Sequence, residues 1–164
     1  MTKKPNDGDY SIKASTGYWV TRLASSMESD FEERLKAHSV TRATFAVLSA
    51  IFHDKKTTPA SLASFIGIDG AAITRHLDRI EGQGLILRER SVADRRSVNL
   101  KLTRKGSGLI PKLVAESKAT NQKFLARFTS TEIKGIQRAI RKMLSNGDVL
   151  PLDIEELKSE GNRK

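Results

Sequence analysis

The segment from Thr58 to Leu102 constrains this chain most. A short run suited to a helix, with Leu62, Phe65 and Ile66 on its inward side, begins behind a Thr58 cap with Pro59 at its first position and stops at Gly67. Asp69 can cap a second helix, about residues 70 to 83, whose inward positions Ile73, Leu77 and Ile80 fall at i, i+4 and i+7 before Gly84 ends it. The linking turn is only Gly67-Ile68-Asp69. Two strand-like runs follow, residues 86–90 and 97–102, the second alternating Val98, Leu100 and Leu102 with Asn99 and Lys101. Ser91 to Arg96 joins them, and six residues are too few for another helix, so the pair is a hairpin. Helix, tight turn, helix and hairpin together make a winged helix-turn-helix, an arrangement that can lay one helix in a DNA groove.

The flanks are helical. Val20, Leu23, Met27, Phe31 and Leu35 form one apolar stripe on a first helix beginning near Ser15. Thr41 can cap a second helix, and Phe45, Val47, Leu48, Ile51 and Phe52 leave it so little polar face that it should be buried. Beyond the hairpin, Thr103 caps a long helix, about 104 to 128, and Thr129 with Glu132 makes a capping box for a last one with Ile133, Ile136, Ile140, Met143 and Leu144 in its stripe. The expected fold class is therefore mainly α with a small β-hairpin wing, a winged helix-turn-helix carrying long N- and C-terminal helices. The winged core needs only part of the apolar surface on those helices. Leu109, Leu113, Phe124, Leu125 and Phe128, with the last stripe, call for a partner, so the terminal helices are expected to build a homodimer. The division is then a flexible arm over 1–14, a dimerisation helix over 15–40, the winged domain over 41–103, dimerisation helices over 104–147 and a tail over 148–164.

Charge narrows the function. The chain carries 29 Lys+Arg against 19 Asp+Glu, a net +10, which favours a polyanionic partner. Half of that excess lies between Ile86 and Lys105, in Arg88, Arg90, Arg95, Arg96, Lys101, Arg104 and Lys105 against Glu89 and Asp94. Two arginines at a hairpin tip are placed where a hairpin can project them into a groove. The absence of cysteine excludes disulfides, thiolate metal sites and thiol nucleophiles. His38, His53 and His76 lack the spacing of metal ligands, and no Gly-rich phosphate loop is present, so no metal, cofactor or catalytic residue is expected and the chain reads as a non-enzyme. No apolar run approaches the ~18 residues of a membrane span, and the polar start lacks a signal peptide's apolar centre, so a cytoplasmic protein is expected.

The stretch "GAAITRHLDRIEGQGLILRERSVADRRSVNLKLTRKG" resembles MarR-type regulators. The recognition-helix pattern of that family is similar to Ile73-Thr74-Arg75, Asp78, Ile80-Glu81 and Gly84-Leu85; its D-x-R wing motif is similar to Asp94 and Arg96; and its L-T-x-x-G is similar to Leu102-Thr103 and Gly106. The likeness covers about residues 62 to 113, extends more weakly to Val40-Thr41 with Phe45-Ala46-Val47-Leu48 and to the Thr129 capping box, and departs from the family at Thr44, at His76 and in the longer N-terminal arm. The resemblance implies a dimeric regulator on a pseudo-palindromic operator of double-stranded DNA. In it Arg96 enters the minor groove, Asp94 positions Arg96 through a charge-assisted pair, and Arg95 reaches a phosphate. Thr74 and Arg75 match positions that touch bases or phosphates, and the small Gly70 and Ala71 let the helix N-terminus approach the duplex. Arg75 and Arg79 can alternatively pair with a neighbouring carboxylate, Asp78 or Glu81, and for Arg79 that pairing stands equal to DNA contact.

The resemblance also implies a small anionic or aromatic effector, an aryl carboxylate or an acyl thioester, that relieves repression. Tyr18, Trp19, Arg22, His38 and Phe45 are the residues suited to such a pocket. Trp19 and Phe45 also suit a plain core role. The alternative function is an architectural protein that binds nucleic acid through phosphates alone.

Overall fold

A computed structural model describes residues 11–90 and 98–147 of the chain. A 3-10 turn, Ile12–Ala14, leads into α1 (Thr16–Lys36), α2 (Arg42–Phe52), α3 (Pro59–Ile66), α4 (Gly70–Gly82), β1 (Ile86–Arg90), β2 (Val98–Leu102), α5 (Arg104–Leu125) and α6 (Ser130–Asn146). The first ten residues of the arm expected over 1–14, the hairpin tip over 91–97 and the tail after 147 lie outside the described residues, together with the Ser97 start expected for the second strand, and the arm's last residues form the 3-10 turn.

Each helix from α2 to α6 begins where a side-chain oxygen can accept one of the orphan N–H groups of its first turn. Thr41 Oγ1 accepts from Thr44 N at 3.3 Å, Asp69 Oδ1 from Ala72 N at 2.7 Å and Thr103 Oγ1 from Gly106 N at 2.9 Å. Thr58 with Ser61, and Thr129 with Glu132, close reciprocal capping boxes. Gly67 and Gly84 end α3 and α4 at φ 78° and 68°, a left-handed backbone that a side chain would strain. The third helix therefore turns into the fourth, and the fourth into β1, within two or three residues.

The core gathers one face from nearly every element. Leu35 of α1, Val47, Leu48 and Ile51 of α2, Leu62 of α3, and Ile73, Leu77 and Ile80 of α4 meet Leu85, Ile86 and Leu100 of the hairpin and Ile110 and Leu113 of α5. β1 and β2 pair antiparallel from Ile86↔Leu102 to Arg90↔Val98, and Leu100 N–H also donates to the Thr57 carbonyl at 2.7 Å, tying the stretch before α3 onto the hairpin. The start of α5 sits against the strand entrance, where Gly106 lacks room for a side chain.

Several expectations shift. α5 ends at Leu125, three residues before the expected stop. Phe52 is not buried but exposed at the end of α2, edge-on to His53 with Lys55 Nζ over its ring. Leu109 and Leu113 need no partner chain, because both pack into the common core. The apolar surface that stays uncovered lies elsewhere: Val20 and Leu23 on the N-terminal half of α1, Phe128, and Ile140, Met143 and Leu144 on α6, a helix that buries none of its residues.

α1 and α5 are joined by a polar seam. Asp30, its side chain 13% exposed, accepts from Arg34 Nε at 2.8 Å, from Thr120 Oγ1 at 2.8 Å and from Lys123 Nζ at 2.5 Å. Hydrogen bonds from Lys123, Arg34 and Thr120, in that order, hold its carboxyl well below the usual carboxylate range.

Candidate nucleic-acid interface

α4 divides cleanly along its length. Ile73, Leu77 and Ile80 point into the core, while Gly70, Ala71, Thr74, Arg75, Asp78 and Arg79 share the solvent face. That split follows from spacing, since residues 70/71, 74/75 and 78/79 stack one turn apart on the side away from 73, 77 and 80. Five residues expected to meet DNA, Gly70, Ala71, Thr74, Arg75 and Arg79, therefore lie on one exposed strip running from the helix N-terminus.

The strip opens at the N-cap. Asp69 takes the Ala72 N–H, and that bond, more than any other influence, lowers its carboxyl below the ordinary value, with Arg75 adding a smaller electrostatic pull. The first-turn glycine and alanine leave open space beside the helix N-terminus, since a Cβ built at Gly70 meets nothing within 4 Å. Thr74 Oγ1 donates back to the Gly70 carbonyl at 2.8 Å, so its hydroxyl proton is engaged while its oxygen can still accept.

The competing ion pairs expected for Arg75 and Arg79 do not form. Asp78 and Glu81 are instead taken by Arg88 of β1, whose Nη1 lies 2.6 Å from Asp78 Oδ1 and 3.1 Å from Glu81 Oε2. Its backbone N–H donates to Glu81 Oε1 at 3.2 Å. Arg88 therefore bolts the hairpin to α4, and Arg75 and Arg79 stay exposed without an ion pair among the described residues. The sequence pattern misses this arrangement because the three residues meet only once the chain reverses at Gly84.

The basic run of the hairpin is thinner than its composition suggests. Besides Arg88, Lys101 Nζ is held by Glu89 Oε2 at 2.6 Å on the diagonal of the ladder, and Lys105 Nζ donates to the Gln83 carbonyl at 2.8 Å. Arg104 is exposed at the start of α5. Asp94, Arg95 and Arg96 lie outside the described residues, in the connection that leaves β1 at Arg90 and returns at Val98.

Among the described residues, the five residues expected to line an effector pocket fall in different surroundings. Tyr18 and Trp19 meet edge to face at 5.1 Å, with Trp19 Nε1 donating to the Lys13 carbonyl at 2.7 Å. Phe45 packs edge to face on Phe31 at 5.1 Å inside the core margin. Arg22 lines an open groove with Asp30, Lys123 and Phe124, whereas His38 lines a separate cavity near the start of α5 and lies 3.2 Å from Glu116. Among the described residues no group of three His, Asp or Glu side chains could hold a metal ion, and no helix is long and apolar enough to cross a membrane.

Known proteins share this architecture. A mutant of MarR from E. coli complexed with operator DNA is 26% identical, with a TM-score of 0.72 over 78% of this chain and 92% of that one. BpsR from Bordetella bronchiseptica, described by a mechanism for regulation of its DNA binding by 6-hydroxynicotinic acid, is 24% identical, with a TM-score of 0.75 over 83% of this chain and 97% of that one. CouR from Rhodococcus jostii, bound to p-coumaroyl-CoA, shares the fold at 17% identity and a TM-score of 0.73, over 82% of this chain and 95% of that one. The model of the MarR family matches residues 40–98, from the α1–α2 corner to the first residue of β2. Over that winged helix-turn-helix the chain carries a match to the MarR family, and the solved structures it resembles are MarR-type regulators.

Proposed function

We propose that the chain is a homodimeric, sequence-specific DNA-binding regulator, a repressor released by a small anionic or aromatic effector. The observation that carries the DNA contact is the unpaired, exposed strip of α4, with Arg75 and Arg79 freed because Arg88 occupies both neighbouring carboxylates. Arg75 and Thr74 read the major groove, Gly70 and Ala71 admit a phosphate to the helix N-terminus, and Arg79 follows the backbone. Arg96, aligned by Asp94, enters the minor groove beside it, and Arg95 takes a phosphate.

The dimer is supported by α6, which buries nothing, and by the exposed apolar residues of α1. Two copies joined by these helices present two α4 strips to the two halves of a pseudo-palindrome. Effector release follows the pattern of BpsR, whose DNA binding 6-hydroxynicotinic acid regulates.

Titration of Arg75→Ala and Arg96→Ala against operator and scrambled duplex at two salt concentrations tests the reading. Loss of Arg75 costs about 1–3 kcal/mol on the operator alone if it holds a guanine edge. Loss of Arg96 weakens both duplexes together. Wild-type affinity that is equal and equally salt-steep on both duplexes replaces the regulator with the architectural reading, and a folded Arg96→Ala of wild-type affinity removes the wing contact.

A further inference from the structure

The solvent face of α4 sorts its hydrogen-bonding groups by polarity. Beyond Gly70 and Ala71, Thr74 and Asp78 stand one above the other in one row, and Arg75 and Arg79 stand in the row beside it. The arginines only donate, since a guanidinium carries no acceptor. The Asp78 carboxylate only accepts, and its Oδ1 takes Arg88 Nη1 at 2.6 Å. That contact balances the acid and sets its row on the hairpin side of the helix.

Thr74 decides what the first row can recognise. A threonine hydroxyl ordinarily serves as donor or acceptor and so pairs with either kind of base edge. Here Thr74 Oγ1 lies 2.8 Å from the Gly70 carbonyl oxygen, which can only accept, so the hydroxyl proton is committed to the helix itself. The exposed side chain offers a neighbour only lone pairs and a methyl group. To face an amino group it gives up nothing. To face a keto oxygen it must either surrender its bond to Gly70 or set oxygen against oxygen. In the major groove the amino groups belong to adenine and cytosine, and the keto oxygens to guanine and thymine. Consecutive Cα atoms are about 3.8 Å apart and consecutive base pairs about 3.4 Å, so Thr74 and Arg75 address the same or neighbouring pairs.

We propose that Thr74 is a specificity-determining residue that selects a base with a major-groove amino group, adenine or cytosine, beside a guanine taken by Arg75. The inference rests on the DNA-binding reading above and adds to it the chemical class of base that each half-site presents.

The test is selection of duplexes from a random library by the full chain, repeated with Thr74→Val, Thr74→Ser and Arg75→Ala, and followed by titration of the preferred duplex and its single-base variants. Thr74→Val keeps the shape and a methyl group and removes the oxygen. Position 74 is exposed, so the fold survives, and a urea midpoint near that of the parent checks this. The half-site position whose preference changes in Thr74→Val is the one that Thr74 faces. There the parent should favour adenine or cytosine over guanine or thymine by about five-fold, the worth of one hydrogen bond. Thr74→Val should bind all four bases there evenly, and Thr74→Ser, which can bond back to Gly70 in the same way, should keep the preference. Arg75→Ala should lose a guanine preference at the same or a neighbouring pair. A guanine or thymine preference at the Thr74 position, a folded Thr74→Val that selects the same sequence as the parent, or an Arg75→Ala that keeps the neighbouring guanine would each overturn the assignment while leaving sequence-specific binding intact. A parent chain that enriches no sequence would instead strike the DNA-binding reading itself, and this assignment with it.

Discussion

Gly106 and Gly108 stand two residues apart at the start of α5, and alanine at each should change stability in opposite directions. A Cβ at Gly106 would lie 2.0 Å from the Leu85 carbonyl oxygen and 3.0 Å from its carbon, both backbone atoms that no rotamer change can move. Reaching even the 3.4 Å of ordinary contact requires α5 to retreat by roughly 1.4 Å. That retreat acts on the bonds that seat the helix: Thr103 N–H donates to Leu85 O at 3.1 Å, and Thr103 Oγ1 donates to Gly84 O at 2.8 Å. Overpacking costs about 1–3 kcal/mol and two weakened hydrogen bonds about 2 kcal/mol more, against roughly 1 kcal/mol gained in helix propensity. The net loss for Gly106→Ala is therefore about 2–4 kcal/mol. At Gly108 nothing lies within 4 Å, so only the propensity term remains and Gly108→Ala should stabilise by up to ~1 kcal/mol. Urea unfolding of both variants, at one protein concentration because an oligomer links stability to concentration, reads the difference. With a slope of ~2 kcal/mol/M, Gly106→Ala should lower the midpoint by about 1–2 M and Gly108→Ala should raise it slightly. A Gly106→Ala midpoint at or above that of the parent would refute the close approach of α5 to Leu85.

Arg88→Met should leave the chain folded, with a cost of no more than ~1 kcal/mol for a part-exposed pair. It should nevertheless weaken DNA binding, because Asp78 and Glu81 are released toward Arg75 and Arg79; duplex titration at low and moderate salt measures this, and unchanged affinity would count against the proposed role of the strip. Asp30 has a folded-state pKa below its unfolded value, so its contribution to stability is full above the ordinary carboxylate range near ~3.9 and fades as pH falls through the depressed value. The destabilisation caused by Asp30→Asn should accordingly be largest at neutral pH and shrink in acid, as seen by urea unfolding at pH 7 and near pH 3; an equal loss at both would contradict the charged seam. Ile140→Glu with Met143→Glu should shift sedimentation to the 18.2 kDa monomer without unfolding the winged core, whereas a parent chain that already sediments as a monomer at micromolar concentration would remove the dimer.

The local order of elements was legible because capping and stopping are local chemistry. Thr41, Thr58, Asp69, Thr103 and Thr129 each sit one residue before a helix and accept from its first turn, and Gly67 and Gly84 each take the left-handed turn their positions demand. The exposed strip of α4 was equally legible, since its phase follows from Ile73, Leu77 and Ile80 alone. The end of α5 was less so, because nothing between Leu125 and Phe128 forbids a helix and only the restart at the Thr129 cap breaks it. Phe52 was misplaced for a related reason: α2 is apolar almost all round, so periodicity could not say which apolar residue would be left outside.

The amino-acid sequence by itself determined the winged helix-turn-helix and the face of α4 that meets solvent, because propensity, caps and apolar period act over a few residues. Tertiary structure decided which charges remain free on that face. Arg88 reaches Asp78 and Glu81 only because the turn at Gly84 folds β1 back along α4, and the seven- and ten-residue separations carry no trace of the contact. It also placed Leu109 and Leu113 in the common core and left Ile140 and Met143 bare, a distinction that apolar character alone cannot express. The cavity beside Lys105 was decided in the same way, by three segments, residues 38–40, 83–85 and 105–112, whose contact exists only after the core formed by Leu35, Leu85 and Leu113 has drawn them together.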